Sequence, residues 1–350
     1  LDARETFGAG DDGEAALYGP KRQPATPRPL KGARDHADAP VSPRFGNHRV
    51  VQSRLGSRQA VRRRDMGVDL FAGLANASLL ALDRAPKVLV FDSGLGGLTV
   101  LAELLKALPA ATYVYAADDA AFPYGALDDE RLVRRVLTVM ERLIAREAPD
   151  LVVVACNTAS TLALPALRAR FSLPFVGTVP AIKPAVAATT SGLVTVLATP
   201  GTVRREHTKA MIDAFAGEAK VTLVGAPRLA GFAEAELRGA PVEDAALAAE
   251  IAPCFVEEDG RRTDAVALAC THFPLLIRRF EALAPWPVRW IDPAPAVARR
   301  VVALVGAAPH TGAEPPRALF TSDRPLPPEL AAALATRGLT SVDKELIILA

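Results

Sequence analysis

A nine-residue pattern occurs twice in this chain. Asp150-Leu-Val-Val-Val-Ala-Cys156-Asn-Thr is matched further on by Asp264-Ala-Val-Ala-Leu-Ala-Cys270-Thr-His. In each copy an aspartate opens an apolar run, a cysteine closes it, and hydrogen-bonding residues follow. Continuous apolar runs of this length between helix-like stretches are the mark of strands buried on both faces of a parallel sheet. A weaker pair supports the same repeat: 88–97 (VLVFDSGLGG) and 194–202 (VTVLATPGT) are each an apolar strand ending in a small, polar, glycine-containing turn. Two related halves of one design invite a site between them.

The rest of the chain from Lys87 onward fits that frame. Strands are expected at 88–91, 112–116, 151–155, 175–177, 193–198, 221–224, 265–269 and 288–291. Helices are expected at 98–107, 129–146, 159–170, 203–215, 243–255 and 274–283, and an ordinary amphipathic one near 330–337. The alternation predicts an α/β fold: two pseudo-symmetric parallel-sheet α/β domains with the active site in the cleft between them. The runs 318–320 and 346–349 read as further strands returning to the first half.

Residues 1–85 behave differently. They lack sustained periodicity, and residues 20–64 hold twelve Lys/Arg against two Asp/Glu among many prolines. Such a segment cannot bury enough apolar surface to offset its ordering entropy, so a disordered basic extension is expected. The whole chain carries only +2, so its basic character sits in this extension. A basic arm is the one feature that would suit nucleic acid or an anionic membrane, but it carries no binding motif.

Composition removes several classes. Three cysteines (Cys156, Cys254, Cys270) exclude a disulfide scaffold, and without a CxxC pair or clustered histidines no metal site is expected. The longest uncharged stretch, 184–203, is broken by Pro, Gly, Ser and Thr, so no membrane span is expected. A soluble, reducing, cytoplasmic setting is the expectation.

In open α/β sheets ligands bind at the carboxyl ends of strands. Four polar clusters fall there: Asp92-Ser93-Gly94, Cys156-Asn157-Thr158, Thr199-Pro200-Gly201-Thr202 and Cys270-Thr271-His272. Asp92-Ser-Gly-Leu-Gly-Gly97 reads as a strand-to-helix turn whose glycines permit tight backbone geometry and whose helix offers free N–H groups to an anion. A buried cysteine after an apolar strand is usually an inert small hydrophobe. Two at equivalent strand ends, one with His272 two residues on, point instead to paired acid/base thiols. Such a pair removes a proton from one face of a carbon and returns one to the other, which is racemisation or epimerisation without a cofactor. Cys254, between Pro253 and Phe255, reads as packing. Phe122-Pro-Tyr-Gly125 is by itself a turn signal.

At this point the chain resembles a family, the cofactor-independent aspartate/glutamate racemases, most closely those that act on glutamate. The resemblance covers about residues 87–350. It rests on Phe91-Asp-Ser-Gly-Leu-Gly-Gly97, Phe122-Pro-Tyr-Gly125, Cys156-Asn-Thr-Ala159, Pro180-Ala-Ile-Lys-Pro184 and Ala269-Cys-Thr-His-Phe-Pro274. It implies a first domain of 86–183 plus 293–350 and a second of 184–292. It implies interconversion of L- and D-glutamate for peptidoglycan synthesis, with no cofactor, in a homodimer. Cys156 and Cys270 would be the acid/base thiols, the first acting on the D- and the second on the L-enantiomer. Asp92 would assist the first thiol and His272 the second, with Glu234 as the carboxylate of the second half. Asp92, Ser93, Tyr124, Gly125, Asn157, Thr158, Thr199, Thr202 and Thr271 would hold the substrate's ammonium and carboxylates. Pro200 inside the Thr199–Thr202 turn departs from the family's pattern and is expected to alter its shape.

Other readings remain at this level. An aspartate or hydantoin racemase would use the same two-thiol logic on another substrate. A cysteine hydrolase would need one thiol and a histidine base. A non-catalytic protein would act through the basic extension. Lys183 invites a pyridoxal phosphate reading, but no phosphate-binding loop accompanies it.

Overall fold

The computed structural model describes Leu80, residues 82–306 and residues 312–347. The expectation for 1–85 falls almost entirely outside the described residues.

The chain first lays down β1 (Lys87–Asp92), α1 (Leu98–Ala107), β2 (Thr112–Ala117), α2 (Asp129–Glu147), β3 (Leu151–Val154), α3 (Asn157–Arg170) and β4 (Phe175–Gly177). After α4 (Ile182–Ala188) come β5 (Leu193–Ala198), α5 (Pro200–Val203), α6 (Glu206–Phe215), β6 (Lys220–Gly225), α7 (Leu229–Leu237) and α8 (Asp244–Ile251). A small antiparallel hairpin, β7 (Glu257–Glu258) with β8 (Arg261–Arg262), precedes β9 (Ala265–Ala269), α9 (Ile277–Leu283), β10 (Arg289–Ile291) and α10 (Ala294–Val305). The chain ends its described course with β11 (Arg317–Phe320), α11 (Pro328–Ala335) and β12 (Ser341–Lys344).

Two parallel sheets result. One has the order β12-β11-β2-β1-β3-β4, the other β10-β9-β5-β6. Stripped of β11 and β12, the first reads 2-1-3-4 and the second, taken from its far edge, 6-5-9-10. The two are the same arrangement. In each, the chain leaves the first strand to one side and returns on the other, so a topological switch point lies between β1 and β3 and again between β5 and β9. A crevice opens at the carboxyl ends of strands at such a point.

Strand burial explains the continuous apolar runs. In β1, Val88 and Val90 join one core cluster while Leu89 and Phe91 join another, so the sheet is covered on both faces. The second sheet has the same two-sided cover: Leu197 and Leu268 face one cluster, Val196 and Ala267 the other.

The structure departs from the sequence reading at particular places. The expected strand at 346–349 is not one over its described residues. The edge strand is β12, Ser341–Lys344, a polar segment with both end residues exposed. An edge strand needs no apolar run, and charges on it discourage pairing with another chain. The single helix expected at 203–215 is two, α5 and α6. Pro200 falls at the first turn of α5, where its missing N–H costs no hydrogen bond. The helices α4, α7 and α10 are absent from the sequence reading. The helical spacing of α10 is legible, with Ala294, Val297, Ala298, Val301, Leu304 and Val305 buried on one face, whereas α7 (LAGFAEAEL) is apolar or small nearly all round and shows little amphipathic contrast.

Candidate active site

The two switch points bring the two cysteine strand ends together. Cys156 precedes α3 and Cys270 follows β9, and the Cys270 sulfur lies near enough for its charge to act on Cys156. Both thiols are free and buried, 6% and 7% exposed. Asp92, Ser93, Asn157, Thr158, Thr202, Thr271, His272 and Glu234 are buried as well. So many polar side chains gathered away from water call for partners. Asp92 Oδ1 and both amide atoms of Asn157 have none within the protein. These groups stand at adjacent strand ends, the arrangement expected where a polar ligand supplies the missing bonds.

The Asp92–Gly97 turn explains its own glycines. None of Gly94, Gly96 and Gly97 has a positive φ. The need is for close approach: a Cβ on Gly94 would run into Glu234 Oε1, one on Gly96 into the His272 ring, and one on Gly97 would lie 2.9 Å from Asp92 Cβ. The free N–H groups at this helix start meet protein groups. Leu95 N–H donates to Glu234 Oε1 at 2.5 Å, and Gly97 N–H donates to Asp92 Oδ2 at 2.8 Å. The anion at the helix N-terminus is thus a carboxylate from α7, on the other sheet's side.

The two thiols have different company. Cys156 Sγ lies 3.7 Å from Ser93 Oγ. Burial, and next the charge of Asp92, push its thiol well above the ordinary range. Asp92 is itself pushed up by burial, which the charge of His272 and the Gly97 amide only partly offset. Cys270 Sγ lies 3.9 Å from His272 Nδ1, and His272 Nε2 lies 3.0 Å from Glu234 Oε1. Burial works against charge on His272. Hydrogen bonds to Cys270 and Glu234 and the charge of Asp92 outweigh it and hold the imidazolium well above its usual value. Glu234 moves the opposite way: burial would raise it, but His272, the Leu95 amide and Arg238 leave it lowered. Gly96 N also lies 3.1 Å from Nε2. With the ring protonated, Nε2–H donates to Glu234 and Nδ1–H to the Cys270 sulfur, while Gly96 only contacts the ring.

The rim is built from two turns. Thr199 caps α5, accepting from Thr202 N–H at 3.4 Å, and its hydroxyl lies 3.1 Å from that of Thr202. A Cβ on Gly125 would lie 3.8 Å from Thr199 Cβ, so the Tyr124–Gly125 turn packs against the start of α5. An ion pair, Arg205 Nη2 to Asp129 Oδ1 at 3.1 Å, joins the two sides at the surface. The Tyr124 hydroxyl does not point at open crevice; it donates to Asp118 Oδ2 at 2.6 Å. Lys183 Nζ sits over the Phe215 ring, 5.8 Å from its centre. Cys254 is fully buried in a short 3-10 turn, with its carbonyl taken by Thr195.

Sequence reasoning misses Asp118 and Thr178. Each follows directly on a strand, the same position that flags the four clusters. Asp118 closes β2, and Thr178 closes β4 with its buried hydroxyl unpartnered. Among the described residues no group of His, Cys, Asp and Glu is arranged to hold a metal, and no helix is long and apolar enough to cross a membrane.

Comparison with known proteins adds to this geometry. Residues 91–301 match the family described as Asp/Glu/Hydantoin racemase. The glutamate racemase of Brucella anthropi is 54% identical over 230 residues, 65% of this chain and 83% of that protein. That of Agrobacterium fabrum is 52% identical over 256 residues, 72% of this chain and 93% of the other. A crystal structure of Escherichia coli glutamate racemase, in complex with L-glutamate and the activator UDP-MurNAc-Ala, has a TM-score of 0.70 at 39% identity, covering 76% of this chain and 100% of that one.

Proposed function

Because the chain belongs to the Asp/Glu/hydantoin racemase family, and within it to the glutamate racemases, we propose that it interconverts L- and D-glutamate by proton exchange at Cα between two thiols, without a cofactor. The observation that carries this is the placement of Cys156 and Cys270 at equivalent strand ends of two matching sheets, each with its own acid/base company.

In the direction from L to D, the Cys270 sulfur takes the Cα proton. His272, steadied by Glu234, stabilises the negative charge on that sulfur before the transfer. The electron pair left on Cα delocalises into the α-carboxylate. Cys156, whose buried thiol holds its proton firmly, gives that proton to the opposite face. From D to L the roles reverse, with Asp92 beside Cys156. Asp92 Oδ1 suits the substrate ammonium. The side chains of Ser93, Asn157, Thr158, Thr199, Thr202 and Thr271 and the Tyr124–Gly125 turn suit its two carboxylates. On this reading the domains divide as 86–183 plus 293–350 and 184–292. The protein works in the cytoplasm as a homodimer, and its D-glutamate serves peptidoglycan synthesis.

The test is Cα proton exchange in heavy water, followed by NMR, with optical activity followed by circular dichroism. L-Glutamate, D-glutamate, L-aspartate and a hydantoin are supplied separately. Exchange and racemisation of glutamate alone are expected, with racemisation lost in Cys156→Ala and in Cys270→Ala. Turnover of aspartate or hydantoin instead would replace the substrate and keep the mechanism. Hydrolytic activity that survives loss of one cysteine would make this a cysteine hydrolase.

A further inference from the structure

Beneath the Tyr124 turn lies a buried ion pair that the proton transfers do not use. Asp118 follows the last residue of β2, and its N–H donates to the carbonyl of Asp92 at 2.8 Å. Its carboxylate is fully buried and takes four donors. Oδ2 accepts from the Tyr124 hydroxyl at 2.6 Å and from Arg135 Nε at 2.8 Å. Oδ1 accepts from Arg135 Nη2 and from the Thr321 hydroxyl, the latter at 2.6 Å. The remaining guanidinium nitrogen of Arg135 donates to the Ile347 carbonyl at 2.8 Å. One network therefore ties the end of β2, the Tyr124 turn, α2, the residue after β11 and the C-terminal segment.

A buried ion pair is a poor device for stability alone, because desolvation offsets most of its attraction. What a planar, two-pronged pair does well is fix direction. Here it fixes Tyr124. The ring is buried with its centre 6.4 Å from that of Phe91, and it packs in the same cluster as Cys156. Burial, then the charges of Asp118 and Cys156, push its phenol well above the ordinary value, so the hydroxyl stays a donor. Gly125, next along, forms the rim facing Thr199.

We propose that Asp118 and Arg135 are positioning residues of this site: they peg the Tyr124 hydroxyl and thereby hold the Tyr124–Gly125 turn against Cys156 and the Thr199 rim. The proposal rests on the two-thiol glutamate reading above. It gives Tyr124 a role through its ring and backbone, with its hydroxyl committed to Asp118. It also makes the C-terminal segment, through Thr321 and Ile347, a support of the site.

The experiment uses the full chain with Tyr124→Phe, Arg135→Lys and Arg135→Met. Tyr124→Phe keeps the ring and the ion pair, so it remains informative if Arg135→Met fails to fold. KM and kcat for glutamate, Tm, and the alkylation rate of each cysteine (by peptide mapping after iodoacetamide) are measured together. Tyr124→Phe is expected to raise KM about ten-fold, the loss of one well-placed hydrogen bond, with kcat changed less. Its Cys156 is expected to alkylate faster while Cys270 keeps the wild-type rate. Arg135→Lys, which keeps charge without the two-pronged geometry, is expected to lie between Tyr124→Phe and Arg135→Met in KM. Wild-type KM and wild-type Cys156 reactivity in Tyr124→Phe would overturn the peg, even with a lowered Tm. Should the wild type racemise nothing, the functional reading fails alone: a selective change at Cys156 would still support the peg, and equal rates at both thiols would refute it.

Discussion

The two cysteine strand ends share one backbone plan and have unlike chemistry. Asp150 opens β3 and Asp264 opens β9, and each aspartate carboxylate secures a neighbouring segment. Asp150 accepts from Lys87 N–H at 2.8 Å, at the start of β1. Asp264 accepts from the N–H and hydroxyl groups of Thr190 and Ser191 and the hydroxyl of Thr189, just before β5. At the other end of these strands the likeness stops. Cys156 has a hydroxyl and a buried carboxyl for company; Cys270 has an imidazole backed by a carboxylate. The repeat supplies matched positions for two sulfurs, and the loops supply different means of handling a proton. The halves are also not self-sufficient, since Glu234 and His272 of one press on the Asp92–Gly97 turn of the other.

Removing each sulfur in turn has the largest expected effect on the two ends. Cys156→Ala and Cys270→Ala should each lower racemisation by about three orders of magnitude or more, measured by circular dichroism. A variant that kept wild-type rate would show the halves to be redundant.

Next comes the seam between them. Gly96→Ala places a methyl in the His272 ring, and Glu234→Gln removes the charge that holds the imidazolium. Each should cost about 100-fold in kcat/KM, the loss of a charged hydrogen bond worth about 1.5–3 kcal/mol. The equilibrium constant between enantiomers is unity, so kcat/KM must fall equally in both directions. Only kcat and KM taken separately, and exchange into the unreacted enantiomer, can tell which end was damaged. Equal splits for Glu234→Gln and Asp92→Asn would refute the assignment of different partners to the two thiols.

Asp264 offers a smaller, pH-dependent contrast. Burial would raise it, but five donors hold it well below the usual carboxylate range. A group lowered in the folded state contributes stability above its unfolded pKa of about 3.9 and loses it as pH falls toward the folded value. Asp264→Asn should therefore cost about 1–2 kcal/mol at neutral pH, with the gap to wild type closing below pH of about 4. A gap independent of pH, by thermal unfolding, would sink this account. The smallest effect belongs to Asp129→Asn. Its partner Arg205 is mostly buried but Asp129 is 68% exposed, so KM should change less than about three-fold.

Much of this site is legible in the amino-acid sequence. Asp92, Cys156, Thr199 and Cys270 stand out because polar residues ending buried strands have little structural reason to recur at one topological place. Glu234 is readable only through resemblance. It lies in the middle of α7 among alanines, with no local signal, and its importance comes from a hydrogen bond to Leu95, far off in the sequence. Asp118 has the right address, the end of β2, yet nothing nearby marks its partners, which include Thr321 and Arg135. The strand expected at 346–349, absent over its described residues, shows the converse: Ile347 gives its carbonyl to Arg135, while the edge strand is polar.

The linear pattern carries the parallel α/β class and its doubling, because buried strands must be apolar throughout and the repeat of such strands is written in order. It also determined where chemistry would gather, since strand-end positions follow from strand limits. Which groups meet is set by the folded chain. The glycines of the Asp92–Gly97 turn are needed for space that a distant histidine and glutamate occupy, and Tyr124 is aimed by residues on three other segments. Hydrogen bonds and steric contacts act over a few ångströms in space, and a linear pattern records such proximity only where the chain itself is the link.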